Sequence, residues 1–159
     1  MYGSNRERYS FVTWVYRSTI LEAPIESAWD VLRDFNGHDR WHPAIASSQI
    51  ERGNPADRVG CIRKFRLADG AELREQLLTL SDMETSFSYC LLDTPIPLLN
   101  YEAHVRLIPV TETDWTFWEW ESRFATPKGQ QEALADRVGE NVYQAGFDAV
   151  RAEMGLEAV

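Results

Sequence analysis

The sequence predicts an α+β domain: a curved, seven-stranded antiparallel sheet around a long C-terminal helix, with two short helices after the first strand. Three observations lead there. Six stretches between residues 47 and 124 are rich in β-branched and aromatic residues and are joined by short turns, as in an antiparallel meander. Residues 130–154 carry an apolar stripe at helical spacing. An earlier strand pattern, residues 11–22, is cut off by Ala23-Pro24.

The elements follow in order. Residues 11–22 read as a long strand. Pro24 suits a first helical position and Glu26 the positive end of a helix. Ile25, Ala28, Trp29 and Leu32 recur at helical spacing, so a short helix runs to about Asp34, and Asn36-Gly37 ends it. A second helical turn is expected over residues 38–45, stopped near Pro43. Strands are then expected at 47–52, 61–67, 72–80, 86–92, 100–108 and 114–124. Ala68-Asp69-Gly70 makes a hairpin turn, and the Pro-rich run 93–99 makes a stiff loop. In the last segment Leu134, Val138, Val142, Ala145, Ala149 and Val150 form one stripe, widened by Tyr143, Phe147 and Met154. A helix of that span is about 37 Å long, and only the sheet can cover its apolar face. A strongly twisted sheet cannot touch such a helix everywhere, so a gap between them is the natural site.

The chain has 159 residues, enough for one domain, and residues 1–9 read as a flexible polar start to a domain spanning 10–159. A chain of this length buries roughly 70% of its unfolded surface, so the core needs no metal or disulfide. Lys and Arg number 16 against 25 Asp and Glu, a net charge of −9. That balance weighs against a nucleic acid or an anionic membrane as partner. No apolar run is long enough to insert in a membrane, and the start has no secretory pattern, so the cytoplasm is the default location. Cys61 and Cys90 read as thiols within the sheet. No CxxC, HExxH or Gly-rich phosphate loop occurs, so neither metal nor other cofactor is expected. Six Trp, six Tyr and seven Phe suit either a core or the wall of an apolar pocket.

The motifs carry a resemblance. ILEAPIESAWDVLRDFNGHDRWHPAIASSQIE (residues 20–51), with its Ala-Pro, its Trp-x-x-Leu core and its WHPAI patch, resembles the opening of the START-like SRPBCC superfamily in its polyketide cyclase/dehydrase branch. GCIRKFRLADGAELREQLL and LLNYEAHVRLIPV are similar to its middle strands, and VYQAGFDAVRAEM to its C-terminal helix. The likeness covers about residues 10–155 and implies the helix-grip fold, shared by the abscisic-acid receptors of plants. It implies no single activity, because the superfamily places cyclases, lipid carriers, hormone receptors and oxygenase domains on one scaffold. The Rieske-type ligand pattern of the oxygenase relatives is absent.

Strand alternation nominates the cavity face. Trp118 and Trp120 share a face with Ser122 and Phe124, while Glu119, Glu121 and Arg123 take the other face to water. Tyr101 lies with Ala103, Val105 and Leu107, opposite Glu102, His104 and Arg106. Arg63, Phe65 and Leu67 share one face, as do Leu73, Glu75 and Leu77 on the next strand. An inward Arg63 and Glu75 would have to pair or to hold a polar ligand group; Glu75 as a solvated rim residue is the rival reading. Phe87, Tyr89, Val142 and Gly146 complete the expected wall. The resemblance implies a ligand-contacting Tyr and a pocket Glu at Tyr101 and Glu75. It also places His42 at the cavity mouth, where the hormone receptors carry a Lys. With a His there, permanent charge is lost, and His42 becomes a hydrogen-bonding group or a general base; packing on Pro43 is the structural alternative. His38 is read as part of a polar turn. The loops 68–70 and 94–99 occupy the lid positions of the receptors without their signature residues. Leu98 and Leu99 either close over a ligand or pack on a second copy in a homodimer.

Three functions are therefore expected to compete. The first is a binder of a small hydrophobic or aromatic molecule, for transport, storage or sensing. The second is a cyclase/dehydrase-type enzyme with His42 as acid/base and Glu75 or Tyr101 stabilising an enolate. The third is an interaction protein with a filled core.

Overall fold

A computed structural model of the chain describes Tyr9 and residues 12–157. The expected polar start lies outside these residues except for Tyr9, which bridges to Pro127. The first strand, β1 (Thr13–Leu21), leads through Pro24 into α1 (Ile25–Leu32) and α2 (His38–Trp41). Then come β2 (Ile45–Ile50), β3 (Ile62–Leu67), β4 (Glu72–Ser81), β5 (Ser86–Asp93), β6 (Leu99–Val110) and β7 (Trp115–Ala125). The chain closes with one long helix, α3, built of Gln131–Asp136, Arg137–Gln144 and Ala145–Glu153. Among the described residues no helix is long and apolar enough to cross a membrane.

The seven strands form one antiparallel sheet in the order β1-β7-β6-β5-β4-β3-β2. Every consecutive pair from β2 to β7 is a neighbour, as a meander of short connections dictates, and β1 returns to the free edge of β7. Register shifts interrupt β2/β3, β4/β5 and β6/β7. Such bulges bend strands and raise the local twist, which lets the sheet curl around a helix. At the start of β6, Asn100 takes a left-handed φ of 52°, and Tyr101 follows it with its side chain buried. Asn tolerates that conformation better than most residues.

The alternation read from the sequence is the alternation observed. Trp118, Trp120, Ser122 and Phe124 are buried on β7, and Tyr101, Ala103, Val105 and Leu107 on β6. On β4, Leu73, Glu75 and Leu77 face inward, so Glu75 is a buried carboxyl and not a rim group. The apolar stripe of α3 lies against this face, with Tyr143, Phe147 and Val150 fully buried.

One feature of α3 departs from a uniform helix. Residues Arg137–Gln144 are π-helical, with the Ala145 N–H reaching back to the Glu140 carbonyl. The i→i+5 spacing widens the helix and shifts the phase of its side chains. Two glycines let this helix sit close to the sheet. A Cβ on Gly139 would fall 2.6 Å from the Arg17 guanidinium, and one on Gly146 would fall 2.9 Å from the Trp120 ring.

Candidate ligand cavity

Between the sheet and α3 lies a cavity of about 340 Å³, within the size range of small-molecule sites. Exposed residues mark its mouth: Ala68 and Asp69 from the β3–β4 turn, and Arg137 and Asn141 from α3. Ile96 and Leu98 of the β5–β6 loop also border it, so both expected lid segments reach the cavity.

Most of the expected wall is present. β3 contributes Arg63, Phe65 and Leu67, and β4 contributes Glu75. Phe87 and Tyr89 come from β5, Tyr101 from β6, Trp118 and Trp120 from β7. His42 and Val142 complete the set. Two expected residues do not line it. Leu77 shares the face of Glu75 but is fully buried in the apolar core, paired with Tyr89, which lines the cavity in its place. Gly146 packs on Trp120, Trp41 and His42; it gives the helix its close approach and exposes no surface to the cavity.

Five aromatic groups are held by stacking, hydrogen bonds or both. Trp120 stacks on Tyr143 at 4.3 Å, and its Nε1–H donates to the Tyr89 hydroxyl at 3.1 Å. Tyr101 stacks on Phe124 at 5.7 Å and shares a short hydrogen bond with the Tyr143 hydroxyl. Burial holds the phenols of Tyr89, Tyr101 and Tyr143 well above their ordinary pKa, so all three stay protonated.

The polar centre is the pair Arg63 and Glu75, which face each other across the β3/β4 register. Arg63 Nε donates to Glu75 at 2.7 Å and Nη2 at 2.5 Å, while Nη1 donates to the Phe35 carbonyl at 2.5 Å. The guanidinium also lies 4.0 Å from the Phe35 ring centroid and 5.0 Å from that of Tyr89. Burial raises the Glu75 pKa, and the neighbouring Arg63 opposes that shift.

The two histidines of α2 and its end sit one turn apart but differ in their partners. His42 Nε2–H donates to the Val142 carbonyl at 2.8 Å, and its Nδ1 accepts the Ala44 N–H at 3.2 Å. Both ring nitrogens are thus engaged, and burial lowers the pKa against the raising effect of the Val142 carbonyl. The ring ties α2 to the π-helical stretch of α3, so no free lone pair on it faces a substrate proton. His38 is the residue that sequence reasoning missed. It is not in a polar turn but buried, 6% exposed, with its ring edge-on to Phe65 at 4.9 Å. It lines the cavity, and neither ring nitrogen has a hydrogen-bond partner. Burial, then the Arg63 charge, hold its pKa well below the ordinary histidine value. The signal that would have found it is the spacing of His38, Trp41 and His42, which sets all three on one helical face. The helix wall was also incomplete: Leu134, Val138 and Asn141 line the cavity as well.

A seven-stranded antiparallel sheet gripping a long C-terminal helix defines the helix-grip class of fold. The profile of one family, described as polyketide cyclase / dehydrase and lipid transport, matches residues 13–155, and the chain belongs to that family. No curated protein sequence matches it. Solved structures do. A solution NMR structure of a Thermobifida fusca protein is 25% identical, with a TM-score of 0.79 over 89% of this chain and 93% of that one. A Nitrosospira multiformis protein is 27% identical, with a TM-score of 0.75 over 89% and 95%. The Zhui aromatase/cyclase of Streptomyces sp. R1128 is 17% identical, with a TM-score of 0.78 over 91% and 94%; that likeness is one of fold alone.

Proposed function

We propose that this protein binds a small, mostly apolar or aromatic molecule between sheet and helix, as a carrier, store or sensor. The observation that carries this reading is the cavity itself. An interaction protein with a filled core would have closed a space of about 340 Å³, because unfilled volume forfeits packing energy. The walls supply Phe65, Phe87 and Trp118 for apolar contact, and Arg63, Glu75 and Tyr101 for polar groups. Native mass spectrometry of freshly purified protein tests it. An adduct of a few hundred daltons, released on unfolding, is the expected result, and filling the cavity by Leu91→Trp, at a half-buried residue of its lining, should abolish it. No adduct, together with tryptophan emission indifferent to aromatic probes, would overturn the reading.

A cyclase/dehydrase activity is the second reading, favoured by the buried Arg63–Glu75 pair in an aromatic chamber. As acid or base, His42 would first have to release Val142 or Ala44. Under this reading Tyr101 acts as a hydrogen-bond donor to an enolate, since its hydroxyl keeps its proton. His42→Ala should then abolish turnover of an aromatic polyketide mimic with only a modest change in affinity.

A further inference from the structure

His38 has no role in the fold that its neighbours reveal. Its ring is buried against Phe65, and both nitrogens lack partners in the protein. An unsatisfied buried polar group costs about 1–3 kcal/mol, and an apolar ring of similar shape would pack against Phe65 without that cost. The indole Nε1–H groups of Trp41 and Trp118 are likewise buried without an acceptor, and both residues line the same cavity. Three residues of one cavity wall therefore carry buried polar groups without a partner in the protein.

Their chemistry is selective. A neutral imidazole offers one donor and one acceptor, which matches a hydroxyl group, and an indole N–H offers only a donor, which matches a carbonyl or hydroxyl oxygen. None offers a full charge. The one buried cation of the cavity wall, Arg63, is already committed to Glu75 and the Phe35 carbonyl. An anionic ligand group would sit beside the Glu75 carboxylate or displace it, and a buried charge without a partner is heavily disfavoured. Arg137 is a cation too, but it stands exposed at the mouth, where solvent screens it.

We propose that His38 is a ligand-contacting residue of this cavity, and that with the indole N–H groups of Trp41 and Trp118 it selects uncharged molecules carrying a hydroxyl or carbonyl oxygen on an apolar frame. The proposal rests on the reading of the cavity as a binding site. It adds the contact residue and the charge state of the ligand.

Three probes of one shape separate the two ideas: naphthalene, 2-naphthol and 2-naphthoate, titrated at pH 7 against the wild type, His38→Phe and His38→Gln. The wild type should bind 2-naphthol at least tenfold more tightly than naphthalene or 2-naphthoate. His38→Phe should bring 2-naphthol down to the level of naphthalene. His38→Gln, which keeps a donor and an acceptor, should restore part of the preference. If naphthalene binds and 2-naphthol binds no better, or if His38→Phe keeps the preference, the selection by His38 is wrong and the binding site stands. If 2-naphthoate matches 2-naphthol, the exclusion of charge is wrong. If none of the three binds, the binding site falls and the proposal with it. A wild-type readout covers a variant that fails to fold: 2-naphthol should shift the ring nitrogen resonances of His38 and naphthalene should not, with His42 as the internal reference.

Discussion

Burial acts on His38 and His42 in the same direction, and that fixes how the protein responds to acid. Burial is the first cause of depression at both sites, with the Arg63 charge adding to it. Above the unfolded pKa of about 6.5 both forms are neutral and the full stability is present. As pH falls below that value, the unfolded chain takes up protons that the folded chain refuses, so stability drops. Each histidine held fully neutral contributes a slope of about 1.4 kcal/mol per pH unit. Glu75 opposes this, because its folded pKa is raised: from that value down to the unfolded one, protonation favours the fold. Urea unfolding between pH 7 and 5 should show net acid destabilisation, and His38→Phe should make the slope shallower. An identical slope in the variant would mean that His38 titrates freely. At this scale the sequence was readable wherever a strand's alternation decided orientation, as for Trp120 and Tyr101, whereas at Glu75 the mixed pattern of β4 left a solvated rim position open until the fold buried the carboxyl. At His38 the only signal was its spacing to Trp41 and His42, and a helix of four residues repeats that spacing too briefly to separate a turn from a buried face.

Among the elements, α3 shows what periodicity can and cannot convey. Its apolar stripe predicted a long helix on the sheet, and that helix is present. The π-helical stretch was invisible, since the stripe from Leu134 to Val142 fits a regular helix equally well. Just after that stretch, Gly146 packs on Trp120. Trp120 is buried and stacked between Tyr143 and Trp118, so it cannot retreat from a new methyl group. Gly146→Ala should therefore overpack the contact and cost about 1–3 kcal/mol in chemical denaturation. Gly139 is the internal comparison. The atoms that a Cβ would meet there belong to the flexible end of Arg17, whose side chain is 36% exposed. Gly139→Ala should be close to neutral, because the arginine moves aside and alanine gains about 1 kcal/mol of helix propensity. Equal losses at the two positions would show that the helix approach is limited by backbone and not by Trp120. The lid loops divide in the same way: turn chemistry at Gly70, with its φ of 92°, marked one, while the contacts of Ile96 and Leu98 with the cavity needed the folded sheet.

For the molecule as a whole, the Arg63–Glu75 pair asks whether the interior serves the fold or the ligand. The pair joins β3 to β4 and holds the Phe35 carbonyl beyond α1, so it ties three parts of the chain. Stability is nevertheless a weak reason for it. Two charges withdrawn from water lose most of what their attraction returns, and apolar replacements of similar size are often neutral or stabilising. Removing one partner is a different matter, because it strands the other. Arg63→Met and Glu75→Leu should each lose about 3–5 kcal/mol in urea unfolding, whereas the double variant should lie within about 1 kcal/mol of the wild type or above it. That result would mean the chain keeps a polar centre its fold does not need, as expected of a cavity that must orient a ligand. The same double variant should still reject 2-naphthoate, since an apolar wall offers a buried carboxylate no partner. A double variant as unstable as the sum of the singles would assign the pair to the architecture instead, and would leave the discrimination of ligands to His38 and the indole N–H groups.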